Sequence, residues 1–384
     1  VVFKQVLIMK TDWLIVGAGF TGSVLAERIA SQLGQTVILV EQRQHLGGNA
    51  YDYYDDHGVL VHQYGPHIFH TNAQYIWDYL AQFTEWRSYY HRVLAVINGK
   101  TVPVPFNLNS LEALLPPHYA AKLAQQLIEQ YGFDVKVPIL KIRDTAKGED
   151  LKWLVEYIYE NVFLHYTVKQ WGLKPDELSP SVTARVPIYI SRDDRYFQDK
   201  FQGLPKFGYT KLFQRLLNHP KIKLLLNTRY QEVAEDIHYQ RLIFTGPIDE
   251  FFNYLHGELP YRSLAFKYLH TEQDYCQTVA TINYPNEYAY TRTTEFKHLT
   301  GQRVYGSTYI EEYPQVYRRG ENIAYYPIPK DEYRAWYRKY ELEAEKLQKS
   351  VLFAGRLADY QYYNMDQAVA RALSLFNKEL ILKN

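Results

Sequence analysis

The first group in this chain that can do chemistry is the spacing Gly17-x-Gly19-x-x-Gly22, followed nineteen residues later by an acid, Glu41. Glycine at the first position permits a tight turn. Glycine at the second lets backbone approach a pyrophosphate, and the amides opening the next helix attract an anion. An acid at the end of the following strand is placed for a ribose hydroxyl. The second group is His67 and His70, just after Gly65-Pro66. On a helix this pair could hold a metal, but the Gly-Pro step argues for a turn. No cysteine, and no carboxylate at ligand spacing, completes a set, so no metal is expected. No Ser/His/Asp or Cys/His arrangement for nucleophilic catalysis can be defended either.

These groups need elements to hold them. Residues 12–16 read as a buried strand. "GAGFTGSVLAERIASQLG" turns into an amphipathic helix, with Val24, Leu25, Ile29 and Leu33 at helical spacing, and "TVILVEQ" is a second strand. Residues 110–166 turn helical, with Ser110 and Glu112, and Asp150, as helix starts. Between these helices "VPILKIRDTAKGED" reads as a mobile loop. Residues 182–196 read as strands and 211–217 as a short helix. "KIKLLLNTRYQEV" and "RLIFTGPIDEFF" read as strands returning to the nucleotide unit. Residues 260–330 are strand-rich, and 331–348 form a long charged helix. "SVLFAG" is a strand and "NMDQAVARALSLFNKEL" a closing helix.

The totals exclude more than they select. The 384 residues carry a formal net charge of +1, so no global field favours nucleic acid or an anionic membrane. One cysteine, Cys276, allows no intrachain disulfide. There is no apolar run of about eighteen residues, so no spanning helix is expected. Together these point to a cytoplasmic protein. Residues 1–8 read as a leader ahead of Met9. Most of the 37 tyrosines read as a compositional habit, although a Tyr-rich pocket suits sugars and nucleotides.

After Glu41 comes "QRQHLGGNAYD". The Gly47-Gly48 pair resembles that of FAD-binding dinucleotide folds, where it lies near the diphosphate, and no second G-x-G-x-x-G offers an NAD(P)H site. The strand "VLFAG", Arg356 and a helix beginning near Met365 would complete a flavin site, with the helix N-terminus toward the electron-rich edge of the ring. The predicted class is therefore α/β. A Rossmann-like FAD-binding domain is built from both chain ends (9–85, 205–255 and 345–384). An inserted helical domain with a mobile loop spans 108–170. An antiparallel β-sheet domain comprises 86–107, 171–204 and 256–344.

The order "GAGFTG", "LGGNAYD", "YGPHIFHT", "HRVLAVINGK", "PVPFNLN", "YTVKQWG", "TARVPIY", "RYFQDKFQGLPKFGYT", "NYPNEYAYTRTTEFKH", "AYYPIP", "FAGRLADYQYYNMD" resembles the bacterial UDP-galactopyranose mutase family over nearly the whole chain. The resemblance implies FAD, active when reduced, and interconversion of UDP-galactopyranose and UDP-galactofuranose without net redox. The sugar would be held covalently on flavin N5, as an iminium. It further implies galactofuranose supply for surface glycans, and a homodimer. An amine-oxidase-like flavin oxidoreductase is the alternative, but it leaves two arginines unexplained. A mutase acting also on the N-acetylated sugar is a variant reading.

The resemblance assigns the site residue by residue. Arg185 and Arg292 would hold the diphosphate, which suits a planar, permanently charged fork. Trp171 would be the lid tryptophan, with Tyr166 and Thr167 one turn before it. Tyr196 and Phe197 would bind uridine and Asn283 the uridine–diphosphate region. Tyr325 or Tyr326, and Tyr362, would bond the phosphates, and Glu312 would lie near the sugar. Arg356 would sit between flavin and sugar and His70 beside the flavin ring. The dinucleotide would be held by Gly17, Gly19, Phe20, Thr21, Gly22, Glu41, Gln42, Gly47, Gly48, Asn49, Gly65, Pro66, His67, Ile68, Gly355, Tyr363, Asn364 and Met365. Some relatives carry Asp at Asn364 and Asn at His91. A helix cap suffices for Asn364, and His91 would make a substrate contact with different pH behaviour.

Overall fold

In the computed structural model, which describes residues 9–184 and 186–381, a five-stranded sheet runs in the order Ile222–Leu225, Val37–Val40, Met9–Val16, Ile237–Phe244, Val351–Phe353. Every pairing is parallel. A parallel sheet is covered on both faces, which demands near-continuous apolar strands. Leu14, Ile15, Ile38, Leu39, Val40, Leu242 and Ile243 are accordingly all buried. One face packs Ile15, Leu39 and Ile243 against Val24 and Leu25 of the helix Phe20–Arg28 and Val369 and Ala372 of Met365–Leu375. The other packs Leu14, Ile38 and Leu242 against Tyr230, Val233 and Phe251. These last three lie on the short helices Tyr230–Val233 and Ile248–Phe251, in segments expected to be wholly strand.

A seven-stranded sheet has the order Tyr326–Pro327, Tyr261–Thr271, Ser307–Val316, Arg292–Glu295, Thr281–Asn283, Val93–Ile97, Lys100–Val104. It is mixed rather than antiparallel as expected, because Thr281–Asn283 pairs parallel with Val93–Ile97. These strands are joined by a long excursion, the connection that parallel pairing requires. A third, small sheet places Phe201–Pro205 between Phe69–Thr71 and Trp86–Ser88. The boundary expected at residue 86 falls inside it.

The helical insert departs from expectation at its start. Asn107, not Ser110, precedes the helix Leu108–Leu114. Its Oδ1 accepts from Ser110 N at 3.1 Å, and Ser110 Oγ accepts from Asn107 N at 3.0 Å, a reciprocal capping box. Pro116-Pro117 then divides the expected single helix. Pro117 sits in the first turn of Pro117–Tyr131, where a missing N–H costs little. Asn107→Ala is expected to lower stability by about 1–2 kcal/mol, read as a lower urea midpoint with unchanged flavin absorbance.

"VPILKIRDTAKGED" is not the loop expected from its polarity. Val135–Val137 pairs with Ile188–Ile190, and the helix Ile139–Thr145 buries Ile139 and Ile142. Two apolar residues one turn apart are too short a pattern to announce a helix. The described residues of 182–196, expected as strands, contain one strand, Ile188–Ile190, preceded by the helix Pro180–Thr183. Among the described residues no helix is long and apolar enough to cross a membrane.

Candidate functional site

A groove opens where the parallel strands end. Gly17, Glu41, Thr245 and Gly355, each just past a strand, line it together with Gly19, Phe20, Thr21, Gln42, Gly47, Gly48, Asn49 and Tyr325. Gly17 has φ of +101°, and a Cβ there would lie 2.2 Å from Thr245 Oγ1. A Cβ on Gly48 would lie 3.0 Å from Gly19 Cα. Two backbone loops therefore meet without side chains and leave a cradle for a group that must approach amides closely. Gly22 does not face this groove. A Cβ there would lie 2.0 Å from Gly17 O, so it lets the helix pack on the turn.

Glu41 is buried, and its two oxygens accept from Ala18 N and Arg43 N, both at 2.9 Å. It ties the first turn to the second strand. Arg43, absent from the expected set, lies across the Tyr64 ring at 4.3 Å and donates from Nη2 to Asn49 Oδ1 at 3.0 Å. Its Nη1 is buried with no partner among the described residues. A glycine cradle beside an unsatisfied guanidinium fits a dinucleotide diphosphate.

A cavity of roughly 970 Å³ lies beside the groove. His70, His91, Tyr166, Thr167, Trp171, Tyr196, Phe197, Asn283, Arg292, Glu312, Tyr326 and Tyr362 all line it, with Gly65, Pro66, Ile68, Tyr363 and Asn364. His67, Arg356 and Met365 line both spaces, so the two meet there. Tyr325 belongs to the groove rather than the cavity, which separates it from Tyr326. Arg185 lies outside the described residues.

Strand register assembles the polar wall. Asn283 stands opposite Arg292, and Arg292 opposite Glu312, on three adjacent strands. Residues in direct register share a sheet face. Arg292 Nε lies 3.7 Å from Glu312 Oε1, and Nη2 donates to Tyr166 OH. Burial disfavours the Arg292 charge, but Glu312 and Tyr166 outweigh it and hold the guanidinium firmly protonated. Asn283 Oδ1, Gln170 Oε1 and Arg292 Nε are buried without a hydrogen-bond partner among the described residues. Unsatisfied polar atoms lining one cavity call for a polar ligand.

An aromatic wall faces them. Trp171 meets Tyr362 edge-on at 5.8 Å, and Tyr362 meets Tyr326 at 4.9 Å. The Arg356 guanidinium lies 5.3 Å from the Tyr326 ring and donates from Nη2 to Tyr363 O at 2.7 Å. Asn364 stands at the N-cap of Met365–Leu375, its N–H bonded to Gln367 Oε1 at 2.8 Å.

The two histidines have separate partners. His67 Nδ1 donates to Gly65 O at 2.8 Å and His70 Nδ1 to Asp199 Oδ2 at 2.9 Å. Among the described residues no three His, Cys, Asp or Glu side chains could hold a metal ion. A third ring, His62, was not anticipated; its Nδ1 accepts from His67 N at 3.0 Å.

Burial pushes His62 down to about 3, His67 to about 4 and His91 to about 3, with the Arg356 charge adding to the shift of His67 and the Arg292 charge to that of His91. The unfolded chain takes up protons below about pH 6.5 while these native rings stay neutral. Stability is therefore full above pH 6.5 and falls on acidification toward pH 4. The slope is at most about 1.4 kcal/mol per pH unit for each buried ring. Urea midpoints at pH 7.5, 6.0 and 5.0 check this. His62→Gln should flatten the slope by about one proton, and a wild-type midpoint that does not move over this range would count against neutral rings.

Residues 161–362 match the family described as UDP-galactopyranose mutase, and residues 15–83 match an NAD(P)-binding Rossmann-like domain. A Klebsiella pneumoniae protein named "Probable UDP-galactopyranose mutase" is 38% identical, over 94% of this chain and 92% of its own. The chain belongs to the UDP-galactopyranose mutase family. An Escherichia coli dTDP-fucopyranose mutase is 35% identical over 97% of this chain and 98% of its own. A crystal structure of reduced UDP-galactopyranose mutase shares the fold, with a TM-score of 0.74 and 18% identity over 97% of this chain and 96% of that one. The isomerase class and the flavin-type Rossmann domain expected from the motifs follow.

Within this mutase family frame, the residues that sequence reasoning missed share a property. Arg43, His62, Gln170 and Asp199 all lie within or beside the quoted motifs, yet nothing in their own spacing marks them. Two of them meet partners far away in the chain: Arg262 Nε donates to Gln170 O, and His70 Nδ1 donates to Asp199 Oδ2.

Proposed function

We propose that the chain is a flavin-dependent mutase that interconverts UDP-galactopyranose and UDP-galactofuranose with FAD in its reduced state. What supports the reading is the junction at His67, Arg356 and Met365, where a dinucleotide groove opens into a polar cavity. A flavin bound there would supply an electron-rich nitrogen to the anomeric carbon. The protein's share is the leaving group. Arg292, with Arg185 as its partner, neutralises the diphosphate as it departs and returns. Asn283 Oδ1 and Gln170 Oε1 accept from ligand hydroxyls or amides, and Trp171, Tyr326 and Tyr362 wall off water. The reading carries with it a cytoplasmic homodimer that supplies galactofuranose for surface glycans.

The test is direct. Dithionite-reduced protein given UDP-galactose should yield a second UDP-hexose on anion-exchange chromatography, and air-oxidised protein should not. Equal conversion in both states would sink the flavin chemistry, and hydrogen peroxide production would favour an oxidase. Because a dTDP-fucopyranose mutase is so similar, dTDP-fucose and UDP-N-acetylgalactosamine belong in parallel reactions. Preference for either over UDP-galactose reassigns the substrate.

A further inference from the structure

His70 lies on the strand Phe69–Thr71, opposite Gln202 of Phe201–Pro205. This antiparallel pairing brings Asp199 beside it. Asp199 Oδ2 lies 2.9 Å from His70 Nδ1. A carboxylate can only accept, so Nδ1 carries the proton. The other carboxylate oxygen accepts from Asn72 Nδ2 at 2.8 Å, and Asn72 Oδ1 accepts from Lys200 N at 2.8 Å. The carboxylate is thus fixed at both ends. Phe197 stacks on the imidazole at 3.7 Å and 12°. The ring is clamped at one nitrogen and covered on one face. Nε2, on the far side from Asp199, has no protein partner among the described residues, and His70 lines the cavity. Among the described residues, His91 interacts electrostatically with His70, Lys136 with Asp199, and Arg292 with His91 in turn.

We propose that Asp199 is a positioning residue. It holds His70 with the proton on Nδ1, so that Nε2 alone exchanges a proton with the bound sugar. The inference rests on the mutase reading. In a pyranose O5 is bonded to C1, and in a furanose O4 is. Contraction breaks O5–C1, and O5 gains a proton. It then forms O4–C1, and the O4–H proton leaves. One proton is delivered and one is taken back. Nε2, protonated from solvent once the sugar is bound, gives that proton to O5, and the freed lone pair then accepts the proton from O4 and returns it to solvent. His70 ends as it began, and the reverse reaction inverts the order. Asp199 accepts from Nδ1–H in both states, so no second tautomer competes.

The experiment uses the flavin-loaded enzyme labelled with ¹⁵N-histidine at pH 8, with the His70 signals assigned by His70→Gln. The wild type should show a protonated Nδ1 and a lone-pair Nε2. In Asp199→Asn the Asn72 amide still donates to the side-chain oxygen, which turns the new NH₂ toward His70. The ring must then accept at Nδ1 and carry its proton on Nε2. Tautomer inversion should come with a fall in kcat of about 10²-fold, with KM and UDP affinity within about threefold. Asp199→Glu keeps a carboxylate and should retain at least ten times the kcat of Asp199→Asn. An Nε2–H tautomer in the wild type overturns the proposal even if neither variant folds. So does inversion without a change in kcat, or a loss of kcat matched by a loss of UDP binding. A wild type that fails the isomerisation assay refutes the mutase reading instead, because the tautomer is read without turnover.

Discussion

Arg292→Ala is expected to lower kcat for the pyranose–furanose interconversion by about 10²–10³-fold, the usual consequence of removing one charged donor from a developing anion. The flavin should stay bound, since Arg292 lines the cavity and not the groove. Two losses combine. The diphosphate loses a cation whose Nε has no hydrogen-bond partner among the described residues. Glu312, buried and 3.7 Å from that Nε, loses its counter-ion and then repels the incoming phosphates. The alanine variant should therefore show a raised KM as well as a lowered kcat. Arg292→Lys should recover only part of the rate, because an ammonium keeps the charge but not the planar fork. Steady-state chromatography with dithionite-reduced enzyme, beside an absorbance spectrum, measures both. A yellow Arg292→Ala protein with kcat within threefold of wild type would remove Arg292 from the site.

Gly17→Ala should abolish flavin retention and lower stability by about 3 kcal/mol or more. A side chain at φ +101° is strained by roughly 1–3 kcal/mol. The new Cβ would also lie 2.2 Å from Thr245 Oγ1, a hydroxyl already bonded to Val16 O at 2.7 Å. Something must move, and what moves is the mouth of the groove, where the strands Met9–Val16 and Ile237–Phe244 end side by side. Adding Thr245→Ala removes the obstructing hydroxyl but not the backbone strain. The double variant should regain some stability and little flavin. Flavin content after gel filtration, with urea midpoints, separates the two terms. A yellow Gly17→Ala protein of wild-type stability would mean that the turn tolerates a side chain.

Much of this fold could be read before folding. The apolar runs at 12–16 and 36–42, the glycine spacing between them and the strand and helix at the C-terminal end required a Rossmann-like unit, because only a parallel sheet buried on both faces uses such strands. The long charged helix also stood in the pattern, and Asp331–Leu347 is where it was expected. Misreadings came where the signal is short or relative. Residues 137–150 looked polar, yet Ile139 and Ile142 are buried on a two-turn helix. Ser110 looked like a cap, yet it stands three residues inside one that Asn107 begins. The sheet looked antiparallel throughout, since nothing local marks Thr281–Asn283 as the parallel partner of a strand nearly two hundred residues earlier.

The candidate site divides along the same line. Glycine spacing marked the groove, and the motif order, through its resemblance to a family, named the residues expected around the cavity. Local order could not say which members touch. Asn283, Arg292 and Glu312 stand abreast only because three strands pair in one register. Tyr325 and Tyr326 part company only because adjacent residues point to different spaces, one into the groove and one into the cavity. His67 and His70, three apart in the chain, turn to Gly65 and to Asp199 because a turn and a strand, not a helix, carry them. The amino-acid sequence by itself determined the cofactor fold and the kinds of group in the site, since these rest on periodicity and residue chemistry. Only the tertiary structure decided which nitrogen, carboxylate and hydroxyl meet, since those distances depend on strand register and on contacts between residues far apart in the chain.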